Sequence, residues 1–162
     1  MVRPDVIASH VENLLEHMLE TDHLVTDVPG QWSVRDGTAL YTVRVKNQAS
    51  PTVEVFSIAL DGIRPTRALY ERINDLNLRA THSRWFVEGN RVIVAGELVG
   101  ETLDAEELAS TCREVAISAN EEGKALHEVF GGVLSFPAEP DATGQVPAAA
   151  DPPDDEPTGL YL

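Results

Sequence analysis

Apolar residues recur near the start of the chain with a helical period. Ile7, Val11, Leu14, Leu15 and Met18 fall at i, i+4, i+7, i+8 and i+11, which is one face of a helix over residues 5–20. Pro4 and Asp5 suit its first turn, where a backbone hydrogen is not needed and the helix dipole favours an acid. Glu12, Glu16 and Glu20 lie on the other face. From residue 24 the period falls to two. Trp32–Arg35 and Leu40–Val45 flank Asp36-Gly37, a pair suited to a type I′ hairpin turn. A second turn at Asn47–Pro51 leads to a third strand over Thr52–Leu60, which Asp61-Gly62 ends. Short turns between successive strands predict an antiparallel meander. The helical period returns over 66–79, with Leu69, Ile73 and Leu76 on one face. Ser83–Val99 then reads as a hairpin turning at Glu88-Gly89-Asn90. The longest element spans 104–130, with Leu108, Cys112, Val115, Ala119, Leu126 and Phe130 in one stripe. Asp104 with Glu107 resembles a capping box, and Gly131 and Gly132 suit the other end. Gly123 inside this helix marks a kink or a close approach to the sheet.

The order α-β-β-β-α-β-β-α predicts an α+β domain over residues 1–134. It is expected to hold an antiparallel sheet of about five strands with helices packed on it. Residues 135–162 form a separate tail. Positions 137–158 carry six prolines and six acids without a Lys or Arg, too little apolar surface to order themselves. A disordered acidic tail is therefore expected, ending in the apolar run Gly159-Leu160-Tyr161-Leu162. On such a tether, Leu160, Tyr161 and Leu162 are expected to dock into an apolar groove of a partner or a neighbouring copy.

Charge narrows the function. Acids outnumber bases 27 to 12, for a net charge of −15. Nucleic acid and anionic membrane surfaces both need clustered Lys and Arg, so neither is an expected partner. An acidic surface favours basic or poorly soluble clients. No apolar run approaches the ~20 residues that cross a bilayer, and the N-terminus lacks the apolar stretch of a signal peptide. The single cysteine permits no internal disulfide. A cytoplasmic protein is expected.

Reactive chemistry is not signalled. Glycine-rich phosphate loops, zinc-protease helices, nucleophile elbows and paired-cysteine motifs are all missing. His10 and His17 are seven residues apart, about 10 Å along a helix axis, with Glu20 and His23 nearby. That spacing suits a solvated face better than a metal site. Cys112 lies on an apolar stripe and reads as a buried structural thiol. Trp32, Tyr41, Phe56, Trp85 and Phe86 lie in strands and read as core. The alternative for them is an apolar face or edge left open to a peptide. Asn74 and Asn77 share one turn of the second helix, where they cap its end or orient a neighbouring loop or subunit. No catalytic residue, metal or cofactor is expected.

Three stretches carry a resemblance. Ile73-Asn-Asp-Leu-Asn77, the hairpin Trp85–Leu98 and a helix ending Phe130-Gly-Gly132 together resemble the YbjN-type domains of actinobacteria, within the type III secretion chaperone-like superfamily. The resemblance spans Val6 to Gly132. It implies the same element order and a small, acidic, cytosolic homodimer that holds a client polypeptide in extended form without catalysis. Asn74, Leu76 and Asn77 and the strand from Val92 to Leu98 match the shared pattern. The expected partner-binding residues are Trp85, Val92, Val94, Leu98, Asn74 and Asn77, with Leu160, Tyr161 and Leu162 in the tail. An adaptor that docks on a larger assembly through the Gly-Leu-Tyr-Leu motif is the alternative.

Overall fold

Strand alternation resolves into one sheet in a computed structural model that describes residues 3–135, except 23, 25, 27, 37 and 38. The elements are α1 (Pro4–Met18), β1 (Gln31–Asp36), β2 (Ala39–Lys46), β3 (Thr52–Asp61), α2 (Arg67–Arg79), β4 (Ser83–Glu88), β5 (Arg91–Val99), α3 (Ala105–Phe130) and β6 (Val133–Leu134). A short 3-10 turn, Gly100–Thr102, leads from β5 towards α3. The expected tail and its Leu160, Tyr161 and Leu162 lie outside the described residues, as does His23.

The strands are ordered β1-β2-β3-β5-β4 and every neighbouring pair is antiparallel. The predicted hairpin is present, from Ser83 opposite Gly96 to Glu88 opposite Arg91. The sheet has six strands where about five were expected. The sixth, β6, pairs Val133 with Asp61 and Leu134 with Leu60. Two residues are too few to show a period. Between Ile58 and Leu60 the register with β5 shifts, so β3 bulges at Ala59.

One sheet face is buried under α1 and α3. Trp32, Val34, Val43, Val53, Val55, Trp85, Val92 and Val94 point into it. Ile7, Val11 and Leu15 come from α1, and Leu108, Cys112, Val115, Ala119 and Leu126 from α3. Each fully buried aliphatic side chain contributes about 1.5–3 kcal/mol before entropy is charged against it. Phe130, at the end of the stripe, is only partly buried. The Asp104 carboxylate accepts from the Glu107 N–H at 2.8 Å and starts α3. Gly131 ends it with φ 72°. Gly123 lies within the unbroken span of this helix. It faces β3, where a Cβ would lie 3.5 Å from the Ala59 carbonyl oxygen. The second helix begins where the Thr66 hydroxyl accepts from Leu69 N–H. It sits at the β4 end of the sheet, with Arg72 bonded to Glu122 of α3 at 2.9 Å.

Candidate functional site: two sheet edges and an uncovered face

The outer edge of β4 is closed by side chains. Trp85 faces the core, and its main-chain N–H and C=O point away from β5. Asn77 takes both, its Oδ1 accepting from Trp85 N at 2.7 Å and its Nδ2 donating to Trp85 O at 2.9 Å. The amide thus stands in for a neighbouring strand. One turn further along the edge, Glu114 Oε1 accepts from His82 N (3.1 Å), Ser83 N (3.0 Å) and Ser83 Oγ (2.7 Å). Burial raises this carboxyl, but hydrogen bonds from the Ser83 hydroxyl and the His82 and Ser83 amides outweigh it. The net effect lies below the ordinary glutamate value.

The outer edge of β1 is different. Val45 N donates to Gly30 O at 2.8 Å. Antiparallel alternation then aims the main-chain groups of Trp32 and Val34 at β2, and those of Gln31, Ser33 and Arg35 outwards. Gln31 is satisfied locally, its N–H by Val28 O (3.0 Å) and its carbonyl by the Thr26 hydroxyl (2.6 Å). Among the described residues nothing pairs with the outward main chain of Ser33 or Arg35. The Trp32 indole N–H, in the same strand, is buried without a hydrogen-bond partner among them.

The sheet face opposite the helices is uncovered among the described residues. Its apolar floor is Leu40, Phe56, Ile58 and Phe86, each partly buried, with Ile93 and Ala95 buried between them. Leu40, Thr42, Phe56, Ser57, Ile58 and Ser135 line a cavity of about 230 Å³ there. Next to the floor stands a charge cluster. Arg44 approaches Glu54 Oε2 with Nη2 at 2.6 Å and Nε at 2.8 Å. Lys46 bonds Glu97 at 2.9 Å, and Arg84 reaches both carboxylates at 3.8 and 3.5 Å. Glu54 is only 5% exposed under these cations. Hydrogen bonds from Lys46 and then Thr52 hold the Glu97 carboxyl below its ordinary value. Arg44 also lies over the Phe56 ring at 4.8 Å, and Arg84 over Phe86 at 5.8 Å. Among the described residues, five cations on this face (Arg35, Arg44, Lys46, Arg84, Arg91) meet four carboxylates (Glu54, Asp61, Glu88, Glu97). A chain of net charge −15 therefore keeps one slightly positive face.

The expected partner-binding residues separate. Trp85, Val92 and Val94 are buried beneath the helices, so a partner cannot touch their side chains in this state. Alternation placed them on a strand but could not say which face was covered. Leu98 is partly buried against the core. Asn77 clamps the β4 edge. Asn74 is exposed on α2 between Tyr70 (53% exposed) and Leu78 (78%). Of the five strand aromatics, Trp32, Tyr41 and Trp85 are core, while Phe56 and Phe86 lie on the uncovered face. Cys112 is buried, and burial pushes its thiol up to about 12 against the opposing pull of a Tyr41 hydrogen bond. His10 Nε2 lies 3.0 Å from Leu103 O. Among the described residues no group of His, Cys, Asp and Glu could hold a metal ion. Arg44, Glu54, Arg84, Glu97 and Glu114 escaped the sequence reading. For the four strand residues the signal is charge at alternate positions, which gains meaning only once the register pairs Arg44 with Glu54 and Glu54 with Glu97; Glu114 reaches the β4 edge from α3 through the tertiary fold.

Among the described residues, three helices on one antiparallel sheet, with one edge closed and one open, define a small α+β binding domain. Solved structures share this fold. A chain of the HopA1-SchA chaperone-effector complex aligns with TM-score 0.57 at 12% identity, covering 76% of this chain and 95% of its own. A chain of the Yersinia pestis type III secretion chaperone SycH complex with a YscM2 fragment aligns with TM-score 0.54 at 18% identity, covering 70% and 97%. YbjN from E. coli, described as a putative transcription regulator, gives 0.52 at 10% identity, covering 75% and 93%. At these identities the likeness is one of fold. The sequence itself settles the family: the chain belongs to the T3SS (YopN, CesT) and YbjN peptide-binding chaperones, group 1, whose model matches residues 5–138. No curated protein sequence matches the chain. No helix among the described residues is long and apolar enough to cross a membrane.

Proposed function

We propose that this peptide-binding domain is a non-catalytic cytoplasmic chaperone that captures an extended polypeptide segment along the outer edge of β1. One observation carries the reading: the Ser33 and Arg35 main chains point outwards unpaired among the described residues, while Asn77 and Glu114 close the other edge. An added strand gains affinity from main-chain hydrogen bonds, and its alternate side chains set specificity. The test is a display library of extended peptides screened against the intact protein, with binders measured by fluorescence anisotropy. Ser33→Pro and Arg35→Pro remove hydrogens that β2 does not use, so both variants are expected to keep the circular dichroism spectrum. Both are expected to weaken the selected peptides at least tenfold. Undiminished binding by both folded variants sinks the proposal.

A homodimer is the expected state of this chaperone. The exposed Tyr70, Asn74 and Leu78 lie four residues apart along α2, an apolar strip with an amide at its centre. That strip supports self-association through α2, away from the β1 edge.

A further inference from the structure

The uncovered sheet face offers what the acidic segment after Ser135 lacks: apolar surface and positive charge. We propose that residues 136–162 of the same chain fold back onto this face, seating Leu160, Tyr161 and Leu162 on the floor formed by Leu40, Phe56, Ile58 and Phe86 and the preceding acids beside Arg44, Lys46 and Arg84. Three observations select this occupant over a second copy or a foreign peptide.

The first is where the chain departs. Ser135, the last described residue, lines the cavity together with Leu40, Phe56 and Ile58. Whatever follows it starts at the rim of the apolar floor. The second is charge. Residues 137–158 hold six acids and no base, and four of the acids, Asp151, Asp154, Asp155 and Glu156, come shortly before Leu160. On the sheet, Arg44, Lys46 and Arg84 share only Glu54 and Glu97, which leaves the cluster one positive charge in excess. The geometry of the two partners also corresponds. Along β3 the outward row runs Glu54, Phe56, Ile58, so charge precedes the apolar floor by about 7 Å per step. In the segment, acids precede the apolar triplet. The third is reach. From Ser135 to Gly159 is 24 residues, a root-mean-square span of roughly 27 Å for a flexible linker. Five strands are about 20 Å across. A tethered segment acts at an effective concentration in the millimolar range, so weak contacts suffice.

The test uses the full chain. Thr158→Cys accepts a nitroxide spin label selectively, because Cys112 is buried and its thiol stays protonated. Paramagnetic broadening is then read on ¹⁵N-labelled amides. The expected result is at least a twofold intensity loss at Phe56, Ile58, Phe86 and Ile93 relative to α1, unchanged on tenfold dilution. Combining the label with Asp154→Asn, Asp155→Asn and Glu156→Gln is expected to restore at least half of that intensity. These changes alter none of the residues that build the described fold. A Leu160→Ser, Leu162→Ser pair is expected to restore more. Uniform or absent broadening overturns the proposal, as does broadening centred on β1. Equal broadening in a mixture of ¹⁵N-labelled chain with spin-labelled, ¹⁴N chain overturns it in favour of a second copy. Selective broadening that ignores both sets of tail substitutions overturns it too.

Discussion

The thiol of Cys112 and the amide of Asn77 show how single side chains tie this fold to its conditions. Cys112 keeps its proton when folded, because burial moves its pKa from 9.0 to about 12. Its folded value lies above the unfolded one. The stability this contributes is complete below about pH 9 and is lost as pH rises towards about 12, at up to ~1.4 kcal/mol per pH unit. Cys112→Ala is therefore expected to flatten stability against pH across that window, measured by urea denaturation at stepped pH. A parallel decline in both proteins would remove the thiol from the explanation. Asn77 acts on a strand and not on a substrate. Asn77→Ala leaves the Trp85 N–H and C=O without their partner, which costs on the order of 1–3 kcal/mol. It also reopens the β4 edge, so the variant is expected to aggregate faster at equal folded fraction, as followed by light scattering. In the sequence the two asparagines share one helical turn, where capping or orienting a neighbouring loop or subunit was expected. The strand that Asn77 clamps was not legible there, because β4 reaches Asn77 only through the tertiary fold.

Elements were largely legible because their periods are clean. Switches between 3.6 and two residues located α1 to α3 and β1 to β5, and capping and turn residues marked most ends. The misses have physical causes. Strand β6 is two residues long, and its pairing with Leu60 and Asp61 is purely long-range. Gly123 and Gly96 look alike in sequence, yet their surroundings differ. A Cβ at Gly123 would meet Ala59 at 3.5–3.6 Å, ordinary contact, whereas one at Gly96 would stand 2.5 Å from Thr111 Cγ2. Thr111 is buried and β-branched, with little freedom to turn away. Gly123→Ala is expected to be neutral or to stabilise by up to ~1 kcal/mol through helix propensity. Gly96→Ala is expected to destabilise by about 1–3 kcal/mol through overpacking between β5 and α3. Thermal unfolding of the pair checks both signs. Equal effects would mean that the distance between α3 and the sheet is not set at Gly96.

At the scale of the whole molecule the sequence was least informative about surfaces. Periodicity says that Trp85 and Phe86 face opposite ways, but not which way the helices lie. The aromatics expected as core therefore divided between core and uncovered face. The positive character of that face was hidden by the net charge, since its cations come from four strands far apart in sequence. Self-association is also argued at this scale. Leu78→Arg puts a charge on the exposed strip of α2, next to nothing in the core. The native protein is expected to run as a dimer of the 17.6 kDa chain in sedimentation, and the variant as a monomer with an unchanged spectrum. A native monomer at tens of micromolar would count against the strip as an interface.

The inequality of the two sheet edges has a consequence for valence. A sheet with two open edges can add a strand on either side, and each added copy presents a fresh edge to the next, which is the route to a fibre. Here Asn77 and Glu114 end the sheet on one side from within the chain. Among the described residues this leaves β1 as the edge at which a strand can add. Such a sheet can stand at the end of a stack of strands but not in its middle, so one copy cannot bridge two others through both of its edges.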